Sequence, residues 1–234
     1  MKKIMTLVLV LFVGMICLST VVAEKPEKIT FIHFKDGKIK AIDKDAKPAA
    51  NICYKLLGVK WLTTPISYAI NPINPGGLSE SFVTNAIFLS AEEWDKYTSQ
   101  ELFGNMYSID YNATWDDEVP DYRNEYVFGA YPQSNVIAVT NIWGYFSGPK
   151  PNRRIVEYDV LFNTYYDWGD ATLNPAVMDL QNIATHETGH GVGLADLYNT
   201  CVQETMYGYS NYGETDKRTL NSGDIAGIQK LYGI

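Results

Sequence analysis

Eleven consecutive residues constrain this chain more than any other stretch: His186-Glu187-Thr188-Gly189-His190-Gly191-Val192-Gly193-Leu194-Ala195-Asp196. In a helix, a spacing of four turns the side chain through roughly 400°, so His186 and His190 project from one face. Two imidazoles so placed can hold one zinc ion, and Glu187 beside them can serve as general base toward a water molecule. Gly193 permits a left-handed backbone or tight turn that ends the helix. The returning chain can then offer Asp196 as a third ligand. The chain has three histidines, and the remaining one, His33, lies far upstream. Asp196 is therefore the economical third donor. Taken without its extension, H-E-x-x-H also fits a helix with two incidental histidines or a structural zinc site.

The amino terminus reads as an export signal. Lys2 and Lys3 precede an apolar run from Ile4 to about Leu18, closed by Ser19-Thr20-Val21-Val22-Ala23. This predicts a signal peptide over 1–23, cut after Ala23, with an uncleaved anchor as the other reading. Cys17 is a poor lipid-attachment site, because Ile16 stands where a small residue is needed. Export places Cys53 and Cys201 in oxidising surroundings, which favours a disulfide between them. The competing reading makes Cys53 a thiolate on zinc. Formal net charge is −8, which disfavours nucleic acid or an anionic membrane surface as partner. A secreted monomer without stable membrane association is the expectation.

Residues 24–51 form a lysine-rich extension or short propeptide. A hairpin is expected there: Ile29 to Phe34, an Asp36-Gly37 turn, then Lys38 to Ile42. His33 could touch the zinc in a latent form or be a plain structural residue. From 52 to 234 the pattern is that of one α+β domain. Strands are expected within Pro65–Asn71, Met106–Trp115, Tyr126–Tyr131, Val136–Trp143 and Ile155–Asn163. Val83, Ile87, Ala91, Trp94 and Thr98 recur at helical spacing behind a cap at Ser79 or Ser81. Asn174 and Pro175 read as the start of the helix that carries His186. Asp116-Asp117-Glu118 and Asp121 make an acidic loop. It lacks EF-hand spacing, so it reads as solvated, with calcium possible but unsupported.

H-E-x-x-H-x-x-G-x-x-D resembles the zinc signature of the metzincin peptidases, in the aspartate-ligand variant seen in snapalysin-type enzymes. Two later runs resemble the matrixin branch. Glu204-Thr205-Met206-Tyr207-Gly208 is similar to the methionine turn beneath the metal, with Met206 as a packing support. Leu220-Asn221-Ser222-Gly223-Asp224-Ile225-Ala226-Gly227-Ile228-Gln229-Lys230-Leu231-Tyr232-Gly233 is similar to the terminal helix, with Asp224 bracing that turn.

The resemblance covers about Trp61 to the end and implies a twisted mixed sheet of about five strands. A long backing helix, an active-site helix and a C-terminal helix would complete the domain. It also implies a substrate-binding edge strand, here Val136, Ile137, Ala138, Val139 and Thr140 onward to Ile142. The activity implied is a zinc-dependent endopeptidase with one catalytic ion held by His186, His190 and Asp196, and Glu187 as base. An exported zinc-binding module without turnover is the alternative. Three departures matter. The histidines that hold the family's structural zinc are missing, Cys53 lacks the flanking residues of the family's inhibitory cysteine, and Gly223 stands where matrixins hold their N-terminal ammonium with an aspartate.

Overall fold

The computed structural model describes residues 25–35, 52–198 and 201–234. The expected leader, 1–23, and the second arm of the expected hairpin lie outside the described residues. Among the described residues, nine strands run in chain order: β1 Glu27–Lys35, β2 Ala69–Ile70, β3 Ser108–Ile109, β4 Glu125–Gly129, β5 Val136–Tyr145, β6 Arg154–Asn163, β7 Trp168–Gly169, β8 Met178–Asp179 and β9 Tyr209–Ser210. Three helices accompany them: α1 Glu80–Asp95, α2 Leu180–Gly191 and α3 Ser222–Tyr232. Seven strands form one mixed sheet in the order β3-β2-β4-β6-β5-β1-β9, while β7 and β8 make a separate short pair. The domain is α+β, as the sequence suggests.

The sheet exceeds the expected five strands because two more join beyond β5. β1 pairs antiparallel with β5 from Glu27–Gly144 to Phe34–Val136. It then pairs in parallel with β9 through Phe34–Tyr209 and Lys35–Ser210. This corrects the expectation that Val136 to Ile142 forms a free edge. An edge strand leaves a row of unpaired N–H and C=O groups, and the alternating segment Ile29-Thr30-Phe31-Ile32-His33 supplies a partner for them. Phe31 packs against the main core, while Ile32 and Phe34 pack on the opposite face with Val127, Val136, Val139 and Leu161. Both faces of β1 are thus used, which fixes its register.

The first expected strands shrink to two residues each, at β2 and β3. α1 starts as expected: the Ser79 hydroxyl accepts from the Phe82 N–H, and Val83, Ile87, Ala91 and Trp94 are buried. Thr98 falls beyond the helix. α2 starts later than Asn174 and Pro175 imply. Its cap is Asp179, whose carboxylate accepts from the Asn182 N–H at 2.8 Å. Asn174 instead uses its side chain to close a local turn with Ala176 N, so the cap-and-proline pattern marks a turn ahead of the helix.

The two long helices meet closely. Trp94, fully buried, donates its indole N–H to the Thr185 carbonyl at 2.9 Å, and Ser90 Oγ lies 3.2 Å from the Gln181 carbonyl. A disulfide joins Cys53 to Cys201, 148 residues apart. Beside it, Leu57 N donates to Gly193 O at 2.9 Å and Ala195 N to Lys55 O at 2.8 Å. The bridge therefore ties the start of the domain to the segment that follows α2. Replacing both cysteines with serine is expected to lower stability by about 2–5 kcal/mol, measured as a shift in denaturant midpoint of the oxidised protein.

Candidate metal centre

α2 is buried along nearly its whole length. That fits a helix crossed by strands on one side, α1 on another and the returning chain below. Two glycines make the crossing possible. A Cβ at Gly189 would meet Met206 Sδ at 2.2 Å and the Trp94 ring at 2.6 Å, and one at Gly191 would meet the Tyr158 ring at 2.9 Å. Gly193, at φ +106°, turns the chain back, where a Cβ would lie 2.7 Å from the Val59 carbonyl. The backbone here cannot carry side chains without moving its neighbours.

The turn brings Asp196 to the two imidazoles. Ligand atoms of His186, His190 and Asp196 all lie within 4.8 Å of one another. Asp196 Oδ1 is 3.2 Å from His186 Nε2 and 3.4 Å from His190 Nε2. The other ring nitrogens are spoken for: His186 Nδ1 donates to the Thr205 carbonyl at 2.7 Å, and His190 Nδ1 to the Leu194 carbonyl at 3.0 Å. Each Nε2 is then a lone pair aimed into the site, which is how second partners orient metal-binding imidazoles. His186 Nε2 and Asp196 Oδ1 are buried and make no hydrogen bond. Two nitrogens and one carboxylate oxygen converging, one of each without a hydrogen bond, fit a zinc ion.

Burial alone would raise the Asp196 carboxyl, but the neighbouring His190 and His186 hold it well below the usual range, and Asp196 in turn raises His190 against the effect of its burial. Burial lowers His186 to about 4, keeping it neutral and able to donate a lone pair. Tyr198, which the sequence reading missed, donates its hydroxyl to Asp196 Oδ2 at 2.9 Å. Its ring lies against Gly208, where a Cβ would be 2.4 Å away. The spacing Asp-x-Tyr followed by Met-Tyr-Gly was the available signal.

Met206 sits under α2 as the resemblance implies, fully buried. Asp224 holds its turn: the carboxylate accepts from Thr205 N at 2.7 Å, Met206 N at 3.1 Å and Asn221 N at 3.0 Å. The last bond completes a capping box with Asn221. Gly223 is explained as well. A Cβ there would lie 2.0 Å from the Cys53 carbonyl, so the disulfide-bonded segment occupies the space beside the helix start.

Glu187 reaches toward the sheet, its ligand atom still within 4.8 Å of those of His33 and His186. Thr140 Oγ donates to its Oε2 at 2.5 Å, and His33 Nδ1 lies 2.9 Å from Oε1. Burial pushes the Glu187 carboxyl up. The His33 ring lies 3.9 Å from the His186 ring, and Phe31 stacks on His190 at 4.0 Å and 12°. His33 Nε2 is 3.1 Å from Ser210 Oγ, which also accepts from Lys217 Nζ at 2.9 Å. Both ring nitrogens of His33 are thereby engaged, so it contacts the carboxylate rather than completing the three-donor set. β1 covers the whole centre.

Tyr198→Phe is expected to weaken zinc binding by about 10–100-fold in competition with a chromogenic chelator. Gly189→Ala should lower stability by about 1–3 kcal/mol through overpacking against Met206 and Trp94, read by thermal unfolding.

Residues 60–233 match the matrixin family of peptidases. Over 181 residues the chain is 27% identical to Matrix metalloproteinase-16 of Homo sapiens and of Rattus norvegicus, covering 77% of this chain and 28% of each relative. Metalloendoproteinase 1 of Glycine max is 41% identical over 68 residues, covering 28% of this chain and 21% of that protein. The chain thus spans less than a third of the length of these curated relatives. Among the described residues, no helix is long and apolar enough to cross a membrane. With the buried donors on α2, the methionine turn and the capped terminal helix all inside the matched region, the chain belongs to the matrixin family.

Proposed function

We propose that the chain is an exported zinc endopeptidase whose cleft is filled by its own N-terminal strand. One observation carries the reading: ligand atoms of two imidazoles and a carboxylate converge, His186 Nε2 and Asp196 Oδ1 among them without hydrogen bonds, with a buried carboxylate on the residue after His186. A zinc ion held by His186, His190 and Asp196 would polarise a peptide carbonyl and make water a better nucleophile. Glu187 would take the proton from that water and return it to the leaving amine nitrogen. Thr140 orients the Glu187 carboxylate from the strand side, leaving Oε1 for the water once His33 has moved.

The sheet supplies the substrate's backbone partners. β1 supports this reading: antiparallel to β5 and parallel to β9, it is held by main-chain bonds on both sides. An extended peptide can use the same groups, since strand addition depends on backbone and leaves selection to side-chain pockets. While β1 is in place, His33 occupies the hydrogen-bonding position at Glu187 and Phe31 covers His190. That makes residues 24–51 an inhibitory propeptide, with displacement or removal of β1 as the activating event. Export rests on the leader-like sequence at 1–23.

The test is cleavage of a mixed peptide library by the zinc-loaded protein, by a Phe31→Ser/His33→Ser variant and by each with Glu187→Ala. The paired substitutions are expected to raise cleavage at least 10-fold, and Glu187→Ala to lower it about 10²–10⁴-fold. A chelator should abolish it in every form. Zinc-loaded, folded protein that never cuts, with or without the β1 substitutions, would favour the binding module without turnover. Equal cleavage with and without them would remove the inhibitory role of β1.

A further inference from the structure

The side chain of His33 enters a slot in the domain, and the wall it meets is polar. Its Nδ1 lies 2.9 Å from Glu187 Oε1 and its Nε2 lies 3.1 Å from Ser210 Oγ. Ser210 sits on β9, and behind it is a lysine that is only 4% exposed, Lys217. A lysine is buried to this extent only when its charge is paired and its protons are taken.

Lys217 arrives there because its backbone is pinned to α2. Its N–H donates to Asn182 Oδ1 at 2.7 Å, one turn before His186. The ammonium then donates to the Tyr209 carbonyl at 2.9 Å, to Ser210 Oγ at 2.9 Å and to Glu214 Oε1. Each of its protons has an acceptor. Glu214 Oε2 accepts from Asn211 N at 3.1 Å, so the acid is fixed as well. Burial alone would raise the Glu214 carboxyl, but Lys217 holds it below its ordinary value.

This arrangement decides what Ser210 can offer. Lys217 fills a lone pair of the hydroxyl, whose own proton can turn to Glu214 Oε1, 3.2 Å away, or to the occupant of the slot. Once β1 has left, a substrate side chain entering the slot meets the same wall. An aliphatic one would strip water from the hydroxyl and the ion pair without returning a hydrogen bond. A carboxylate would stand between Glu187 and Glu214, and an ammonium would stand over Lys217. A neutral side chain with an acceptor meets neither penalty. We propose that Ser210, backed by Lys217 and Glu214, determines specificity: the slot selects a histidine, asparagine or glutamine side chain beside the cut. The position follows from His33, which touches Glu187 from the same slot. The inference rests on the peptidase reading above and names its substrate class.

The first test needs no turnover. Position 33 is varied in the full chain, and hydrogen exchange of the β1 amides reads how firmly each side chain holds the strand. His33→Asn and His33→Gln are expected to stay within about 3-fold of wild type, and His33→Leu and His33→Glu to lose about 10-fold or more. Part of that loss comes from Glu187, so each change is combined with Ser210→Ala, which should narrow the histidine–leucine gap about 3-fold or more. Should Ser210→Ala fail to fold, Glu214→Gln should instead admit the acid, raising the protection seen with His33→Glu about 10-fold. The second test is cleavage by the Phe31→Ser/His33→Ser form, using peptides that differ only beside the cut. Glutamine there should exceed leucine about 10-fold, and Ser210→Ala should remove the preference. The proposal is overturned if His33→Leu holds the strand as firmly as wild type, or if neither Ser210→Ala nor Glu214→Gln changes the ranking. A chain that never cuts overturns the peptidase reading instead, and the exchange ranking still decides what the slot selects.

Discussion

The contact of Met206 with Gly189 sets how near the returning chain can come to α2, and the centre depends on that distance. A helix that offers two imidazoles from its final turns needs a third donor from a segment it does not contain. That segment reaches the imidazoles only if it passes directly beneath the helix, and a Cβ at 189 would hold it off. Close approach has a cost in backbone freedom, since three glycines, at 189, 191 and 193, lie within five residues. Asp224 offsets part of it by fixing the methionine turn through backbone N–H groups. The same carboxylate starts α3, so the end of the chain and the floor of the centre are built as one unit.

Much of this was readable in the sequence because it is local. Ligand spacing on a helix, a glycine at the turn, a methionine below and a capping box at the end are all set within a few residues of one another. The start of α2 was misread for an equally local reason. Asn174-Pro175 and Asp179 are both good caps, and the contact of β8 with β7 decides between them. What stayed hidden is non-local. Nothing within Ile29–Phe34 says that it pairs with a strand a hundred residues on, although its alternation marks it as a strand. Glu157 and Asp159 alternate to one face of β6, but their approach to Asp116 depends on where a loop folds. Tyr198 likewise acquires meaning only once Gly208 leaves room for its ring.

The sheet divides the chemistry. Toward α2, among aliphatic side chains, Tyr126, Tyr158 and Thr140 bring hydroxyl groups to the helix side. Away from α2 they are apolar near one end and acidic near the other. Because side chains alternate along β6, Tyr158 faces α2 between two carboxylates that face away. A change at one face of this strand is therefore carried by the backbone to the other.

The attachment of β1 has a consequence for how inhibition would end. β1 and the domain are one polypeptide joined through 36–51, and the domain side begins at Cys53, bonded to Cys201 just beyond the Asp196 turn. A strand tethered so near its own slot acts as a ligand at an effective concentration on the order of millimolar. Free substrates below that level compete poorly, however well they fit. One cut in the tether turns this internal ligand into an ordinary peptide of bounded affinity. Dilution would then finish what the cut began, and the step from silent to active would depend on volume as much as on chemistry.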